Sequence, residues 1–239
     1  MEADISAGRH NMKRIVEPEL LDTLPPDDPR AVRSRRDLRR VNWWMGSHAL
    51  MADALQKNLA ATRGRITELG AGDGNFLLQV AQRVSPRWLE AEATLLDRQN
   101  IVTGETLAAF DKLGWRAEAV VADVFDWEPM GVAGQVVVAN LFLHHFADEQ
   151  LAGLLRKISR GAGLFIALEP HRFAWPRLVG KLLWLIGGND VTCHDGTISI
   201  RAGFAGPEIS ELWPDKKNWE LTERRAGRFS HLFVARRRQ

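Results

Sequence analysis

Tyrosine is absent from this chain of 239 residues, although tryptophan occurs nine times. Any pocket wall it builds is therefore flat and apolar and carries no phenol donor, unless the tryptophans fill cores instead. Cysteine occurs once, as Cys193. That excludes an internal disulfide framework and a cysteine-based zinc cluster, and no metal site is expected. A reducing, cytoplasmic setting fits. The opening "MEADISAGRHNMKR" lacks the apolar core of a secretion signal. The apolar stretch "LLWLIGG" is far shorter than the roughly 20 residues needed to cross a bilayer. Charge of one sign is also lacking. A formal net charge of +2 does not demand a polyanionic partner, and nucleic acid is not expected as one. The arginine clusters "PRAVRSRRDLRR" and "ARRRQ" read as solvated helix faces and a basic tail.

What is present is an alternation. Residues 1–60 are expected to form a loose N-terminal arm ending in "LPPDDPR", followed by two cap helices, Ala31–Met45 and His48–Leu59. From residue 61 the rhythm changes. Runs rich in Val, Ile and Leu occur at 65–69, 93–97, 117–122, 135–140 and 164–169. Helical stretches such as "FLLQVAQRV", "GETLAAFDKLG" and "DEQLAGLLRKIS" separate them. Strand, helix, strand at intervals of about thirty residues marks a parallel α/β sheet. The last two runs, 219–225 and 231–237, are joined only by "AGRFS". That link is too short for a crossover helix, so it predicts an antiparallel pair at the sheet edge.

The stretch "ITELGAGDGNF", Ile66 to Phe76, follows the first strand, where ligands of open α/β sheets bind. Its glycines, Gly70, Gly72 and Gly74, are spaced G-x-G-x-G. A dinucleotide fingerprint wants Gly or Ala where Asn75 stands, and a P-loop wants G-K-[ST]. Glu68 before the loop and Asp73 within it would repel a phosphate at low dielectric. Bare backbone beside negative side chains suits a partly cationic ligand carrying a nucleoside.

"ELGAGDGNF" resembles the first motif of class I S-adenosylmethionine-dependent methyltransferases, and the resemblance runs over roughly Arg65 to Arg237. It implies a Rossmann-like sheet, mostly parallel with an antiparallel last strand, and N-terminal helices before it. A substrate or lid insert at 170–210 follows the fifth strand. It implies S-adenosyl-L-methionine as cofactor, bound by Glu68, Gly70, Ala71, Gly72 and Gly74. Asp97, with Arg98 beside it, would take the ribose hydroxyls. Asp123 would take the adenine amino group and the Val124 amide a ring nitrogen. Asn140 would lie beside the amino acid part.

Methyl transfer needs an aligned nucleophile and, for a hydroxyl, removal of its proton. The residues after the fourth strand, "NLFLHHF", offer His144 and His145 as bases. They lack the D/N-P-P-Y/F run of base N-methylating members. The lone cysteine also disfavours cytosine C5 and arsenite methylation. The insert carries an apolar segment, Trp175 to Ile186, readable as a lid, a homodimer face or a membrane-surface helix. Its "HDGTISIR" run weakly resembles bacterial methyltransferases of polyketide-type pathways. That suggests His194, Asp195 and Arg201 near substrate, against a plain reading as a turn. Trp43 and Trp44 are expected as the opposite wall. The reading is a small-molecule methyltransferase, with oxygen the favoured acceptor. RNA or protein methylation, or a non-catalytic cofactor-binding partner, stand as alternatives.

Overall fold

A computed structural model describes residues 13–59, 64–85, 88, 90–129, 135–173, 180, 183–185 and 187–238. Its strands are β1 (Arg65–Leu69), β2 (Glu92–Asp97), β3 (Arg116–Val121), β4 (Val136–Asn140), β5 (Leu164–Pro170), β6 (Trp219–Ala226) and β7 (Ser230–Arg237). They form one sheet in the order β3-β2-β1-β4-β5-β7-β6. Strands β3 to β5 of that order pair in parallel, while β7 runs antiparallel to both β5 and β6. The short link before residue 231 thus makes a hairpin, as its length requires.

Eight helices are described: α1 (Leu20–Thr23), α2 (Pro29–Met45), α3 (Ser47–Asn58), α4 (Asn75–Val84), α5 (Gly104–Asp111), α6 (Asp148–Gly161), α7 (Asp190–Ala202) and α8 (Glu208–Leu212). The strands alternate side chains between two cores, as a pleat demands. Val136, Val138, Leu164 and Ile166 face the α3–α4–α5 side. Val137, Ala139, Phe165 and Ala167 face the α6–α8 side. Helix α3 supplies Met51 and Leu55 to the first core, so part of segment 1–60 is built into the sheet layer. Trp88, Trp115, Trp213 and Trp219 are core residues. The buried Trp115 indole is satisfied by the Trp88 carbonyl at 3.1 Å.

The first thirty residues were expected to be loose. From residue 13 they instead form a strap. Arg14 donates to Asp148 at 2.8 Å, Arg201 pairs with Glu17 at 3.1 Å, and the Leu20 and Leu21 amides donate to Asp195 at 2.9 and 3.0 Å. Asp195 thereby caps the short α1 from another element. Most of Trp175–Ile186 lies outside the described residues; Trp184 and Leu185, which are described, are exposed. Among the described residues no helix is long and apolar enough to cross a membrane.

His48 in α3 is buried against Phe76, with ring centroids 5.1 Å apart. Burial, helped by the Arg83 charge, lowers its pKa from 6.5 to about 4. Between these values the unfolded chain binds the proton and the folded chain does not. Stability is therefore full above about 6.5 and falls as pH drops toward about 4, by up to roughly 3 kcal/mol. Denaturant titrations at pH 7 and pH 5 test this. The wild type should lose stability between them and His48→Gln should lose less; equal losses contradict the assignment.

Candidate active site

The strand order reverses between β1 and β4, and the crevice beyond their carboxyl ends is where open α/β sheets bind ligands. A cavity of about 930 Å³ lies there. Its floor includes Gly70, Gly72, Asp97 and Asp123, and its roof includes the strap from Val16 to Thr23, α2 and α7.

Gly70 and Gly72 have φ of +69° and +56°, where a side chain is strained. Their reasons differ. A Cβ at Gly70 would come within 2.2 Å of the Phe142 ring, which lies on the loop. A Cβ at Gly72 would meet nothing within 4 Å, because Gly72 faces the open cavity. Gly74 is the N-cap of α4, and the Ala71 amide is bonded to the Leu96 carbonyl at 3.0 Å. Asp97 closes β2. One of its oxygens accepts from the Gly72 amide at 2.8 Å and the other from Gln99 at 2.8 Å. Asp123 lies two residues past β3 and accepts from the Phe125 amide at 2.8 Å. Val124 and Arg98 also line the cavity, and Arg98 stands 4.0 Å from Asp22 of the strap.

The two acids of the loop itself are placed differently from the expectation. Glu68 is buried beneath the loop, and one of its oxygens has no hydrogen-bond partner among the described residues. Burial, with Asp73 and Asp97 nearby, pushes its pKa well above the usual range. Asp73 is tied to Arg39 of α2 at 2.6 Å. Neither lines the cavity, so the acidic side chains there are those of Asp97, Asp123, the strap and Asp195 of α7. Asn140 ends β4 and donates to Asn42 of α2 at 3.1 Å, behind the cavity wall.

After β4 the chain passes through Leu141 at φ +52°, an unusual conformation for a side-chain-bearing residue, into a 3₁₀ turn, Leu143–His145. Glu169 in β5 holds this turn. Its carboxylate, fully buried, accepts from the Phe142 and Leu143 amides at 3.1 and 2.9 Å. Its other oxygen meets His144 Nδ1 at 2.8 Å. His144 Nε2 lies 3.2 Å from Glu19 of the strap. Burial opposes the charged ring, but the bonds to Glu169 and Glu19 outweigh it and raise the His144 pKa to about 9. Burial likewise opposes the Glu19 carboxylate, but the two histidines and Ser199 hold it at about 2. His145 lines the cavity, with Nδ1 3.2 Å from Asp22. Its Nε2 stands 3.6 Å from Glu19, too far for a hydrogen bond.

Of the expected substrate residues, Trp44 lines the cavity and stacks on Phe229 at 4.8 Å. Trp43 is 74% exposed and lies outside the lining, because consecutive helical residues point about 100° apart. "HDGTISIR" is helical, within α7, and not a turn. His194 projects outward beside Asp195 and Arg201 pairs with Glu17, both off the cavity wall. The sequence reading missed Glu19, Asp22 and Glu169. Glu169 carried a signal, since it stands near the end of β5 as Asp97 stands at the end of β2. The strap acids carried none, because no periodicity marks residues 13–24.

A family model described as a methyltransferase domain matches residues 66–162. A search of curated protein sequences gives no match. Among solved structures, the plantazolicin methyltransferase BpumL in complex with SAH is similar at 14% identity and TM-score 0.62, covering 89% of this chain and 92% of that one. The mitomycin 7-O-methyltransferase MmcR is similar at 17% identity and TM-score 0.58, covering 91% and 60%. A putative O-methyltransferase from Nostoc punctiforme is similar at 18% and 0.55, covering 85% and 60%. The chain thus spans 60% of the length of those two O-methyltransferases. These likenesses show a shared fold. Residues 66–162, with the glycine loop at the sheet's switch point, match a methyltransferase domain, and the chain shares the fold of these methyltransferases.

Proposed function

We propose that the chain transfers a methyl group from S-adenosyl-L-methionine to a hydroxyl of a small, partly hydrophobic molecule. One observation carries this reading. The glycine loop with Asp97 and Asp123 shares a single roofed cavity with an aromatic wall and a histidine cluster. Gly70 and Gly72 let the cofactor lie against bare backbone. Asp97 accepts from the ribose, with Arg98 beside it, and Asp123 and the Val124 amide meet the adenine. Glu68, Ala71, Gly74 and Asn140 shape the loop and strand ends from behind. The strap and α7 close over the cavity, which favours a small acceptor over a polymer. Phe142 and Phe146 pack edge to face at 5.1 Å and, with Trp44, suit an aromatic or polyketide-like skeleton.

The sulfonium leaves as a neutral thioether, so the acceptor's proton is the one to be moved. Both His144 nitrogens are engaged by carboxylates, and a charged ring has no lone pair to offer. Proton removal therefore falls to the His145 side, where Asp22 orients the ring. Residues 170–210 serve as the lid, with His194 and Arg201 on its outer side, and α2 forms the facing wall, with Trp44 within and Trp43 outside. We further propose a cytoplasmic enzyme of secondary metabolism, with homodimerisation through the exposed Trp184–Leu185 face.

Asp97→Ala tests the cofactor placement. Loss of a hydrogen bond to a charged group weakens S-adenosylmethionine by about 1.5–3 kcal/mol, or about 10- to 150-fold. Calorimetry on the folded variant should show that loss, and unchanged affinity removes Asp97 from the site.

A further inference from the structure

His144, His145 and Glu19 each present one ligating atom, and all three atoms lie within 4.8 Å of one another. The Glu19 carboxylate faces both rings, with Oε1 3.2 Å from His144 Nε2 and Oε2 3.6 Å from His145 Nε2. In a tetrahedral zinc site, with bonds of about 2.0–2.1 Å, neighbouring ligand atoms sit about 3.3 Å apart. The cluster therefore needs only small side-chain rotations to surround an ion, which would take the place of the His144 Nε2 proton and release it to solvent.

The groups behind the cluster carry the argument further. A ligating imidazole is normally oriented by a carboxylate or carbonyl on its other nitrogen. Both rings have one. His144 Nδ1 faces Glu169 at 2.8 Å, and His145 Nδ1 faces Asp22 at 3.2 Å. Glu19 is itself fixed by the Ser199 hydroxyl of α7. The three side chains come from the strap and from the turn after β4, and all three line the cavity. A fourth position therefore opens toward the proposed acceptor.

We infer that Glu19, His144 and His145 form a binding site for one divalent transition-metal ion of the zinc class. Two imidazoles and one carboxylate suit borderline ions; magnesium and calcium prefer all-oxygen shells. The role of the ion rests on the methyl-transfer reading: it would hold the acceptor oxygen and lower its pKa so that the proton passes to solvent, with His145 then a ligand in place of the base it supplies in the metal-free site. The existence of the site does not depend on that reading.

The test uses the full chain stripped of metal with a chelator. Zn²⁺ is titrated calorimetrically, and Co²⁺ is followed by its visible absorption. The expected result is one ion per chain with a dissociation constant of about 1 µM or below. His145→Ala should weaken binding at least about 100-fold, since it removes a ligand outright, and Asp22→Asn by about 10- to 100-fold. His194→Ala, a histidine outside the cluster, should bind as the wild type does. S-adenosylmethionine affinity, measured on the same samples, reports that each variant is folded. No saturable binding by the wild type, or wild-type binding by folded His145→Ala, overturns the site. If the ion binds as expected while the wild type fails to bind S-adenosylmethionine, the site stands and the methyl-transfer reading falls.

Discussion

Glu169→Ala is expected to destabilise the protein by about 3–5 kcal/mol, the cost of removing one partner from a buried ion pair. The carboxylate is fully buried and accepts from two backbone amides while facing the His144 ring. Alanine would leave those donors unsatisfied and strand a positive charge beside the sheet. The same turn holds Leu141 at φ +52°, a conformation costing about 1–3 kcal/mol that persists only when its surroundings enforce it. With total stabilities of about 5–15 kcal/mol, the loss is a large share. Glu169→Gln keeps an acceptor for the two amides and should cost less. Denaturant midpoints for the two variants, at constant slope, measure the difference. A loss below about 1 kcal/mol in Glu169→Ala contradicts the role given to this carboxylate.

Gly72→Val is expected to reduce S-adenosylmethionine affinity by at least about 100-fold while leaving the chain folded. Three costs combine. A β-branched residue at φ +56° is strained by about 1–2 kcal/mol. Its side chain would project into open cavity, the space assigned to the cofactor. The shifted backbone would also disturb the bond from the Gly72 amide to Asp97 at 2.8 Å, worth about 1.5–3 kcal/mol. Because no protein atom lies within 4 Å of the added Cβ, packing elsewhere is spared. Calorimetric titration of the folded variant is the measurement, and native affinity refutes the placement of the cofactor over this glycine.

The sheet was legible because its signals are local. β-Branched runs separated by helical spacing gave every described strand to within about two residues, and the short 226–230 link gave the antiparallel hairpin. Asp97 and Asp123 were legible because strand ends are legible. The strap was not. Residues 13–24 hold their place through long-range contacts, such as Glu19 with His144 and Leu20 with Asp195, which no sequence period records. The charge of the glycine loop pointed to a cationic ligand, but where its two acids lie depends on long-range contacts. Asp73 is neutralised by Arg39, thirty-four residues earlier, and Glu68 sits under the loop. The "HDG" run was legible in part: α7 brings Asp195 to the cavity and to the α1 amides, while His194 and Arg201 fall outside the lining, because helical spacing sends neighbouring residues to different faces.

The central claim is that this cavity methylates a small hydroxyl-bearing molecule. Its most direct test is transfer of a labelled methyl group from S-adenosylmethionine into a cell extract fractionated by size, with mass spectrometry of the labelled product. The account predicts label in a low-mass, partly hydrophobic compound, attached through oxygen, and its loss in Asp97→Ala. Label confined to RNA or protein, or cofactor binding with no transfer to any fraction, contradicts it.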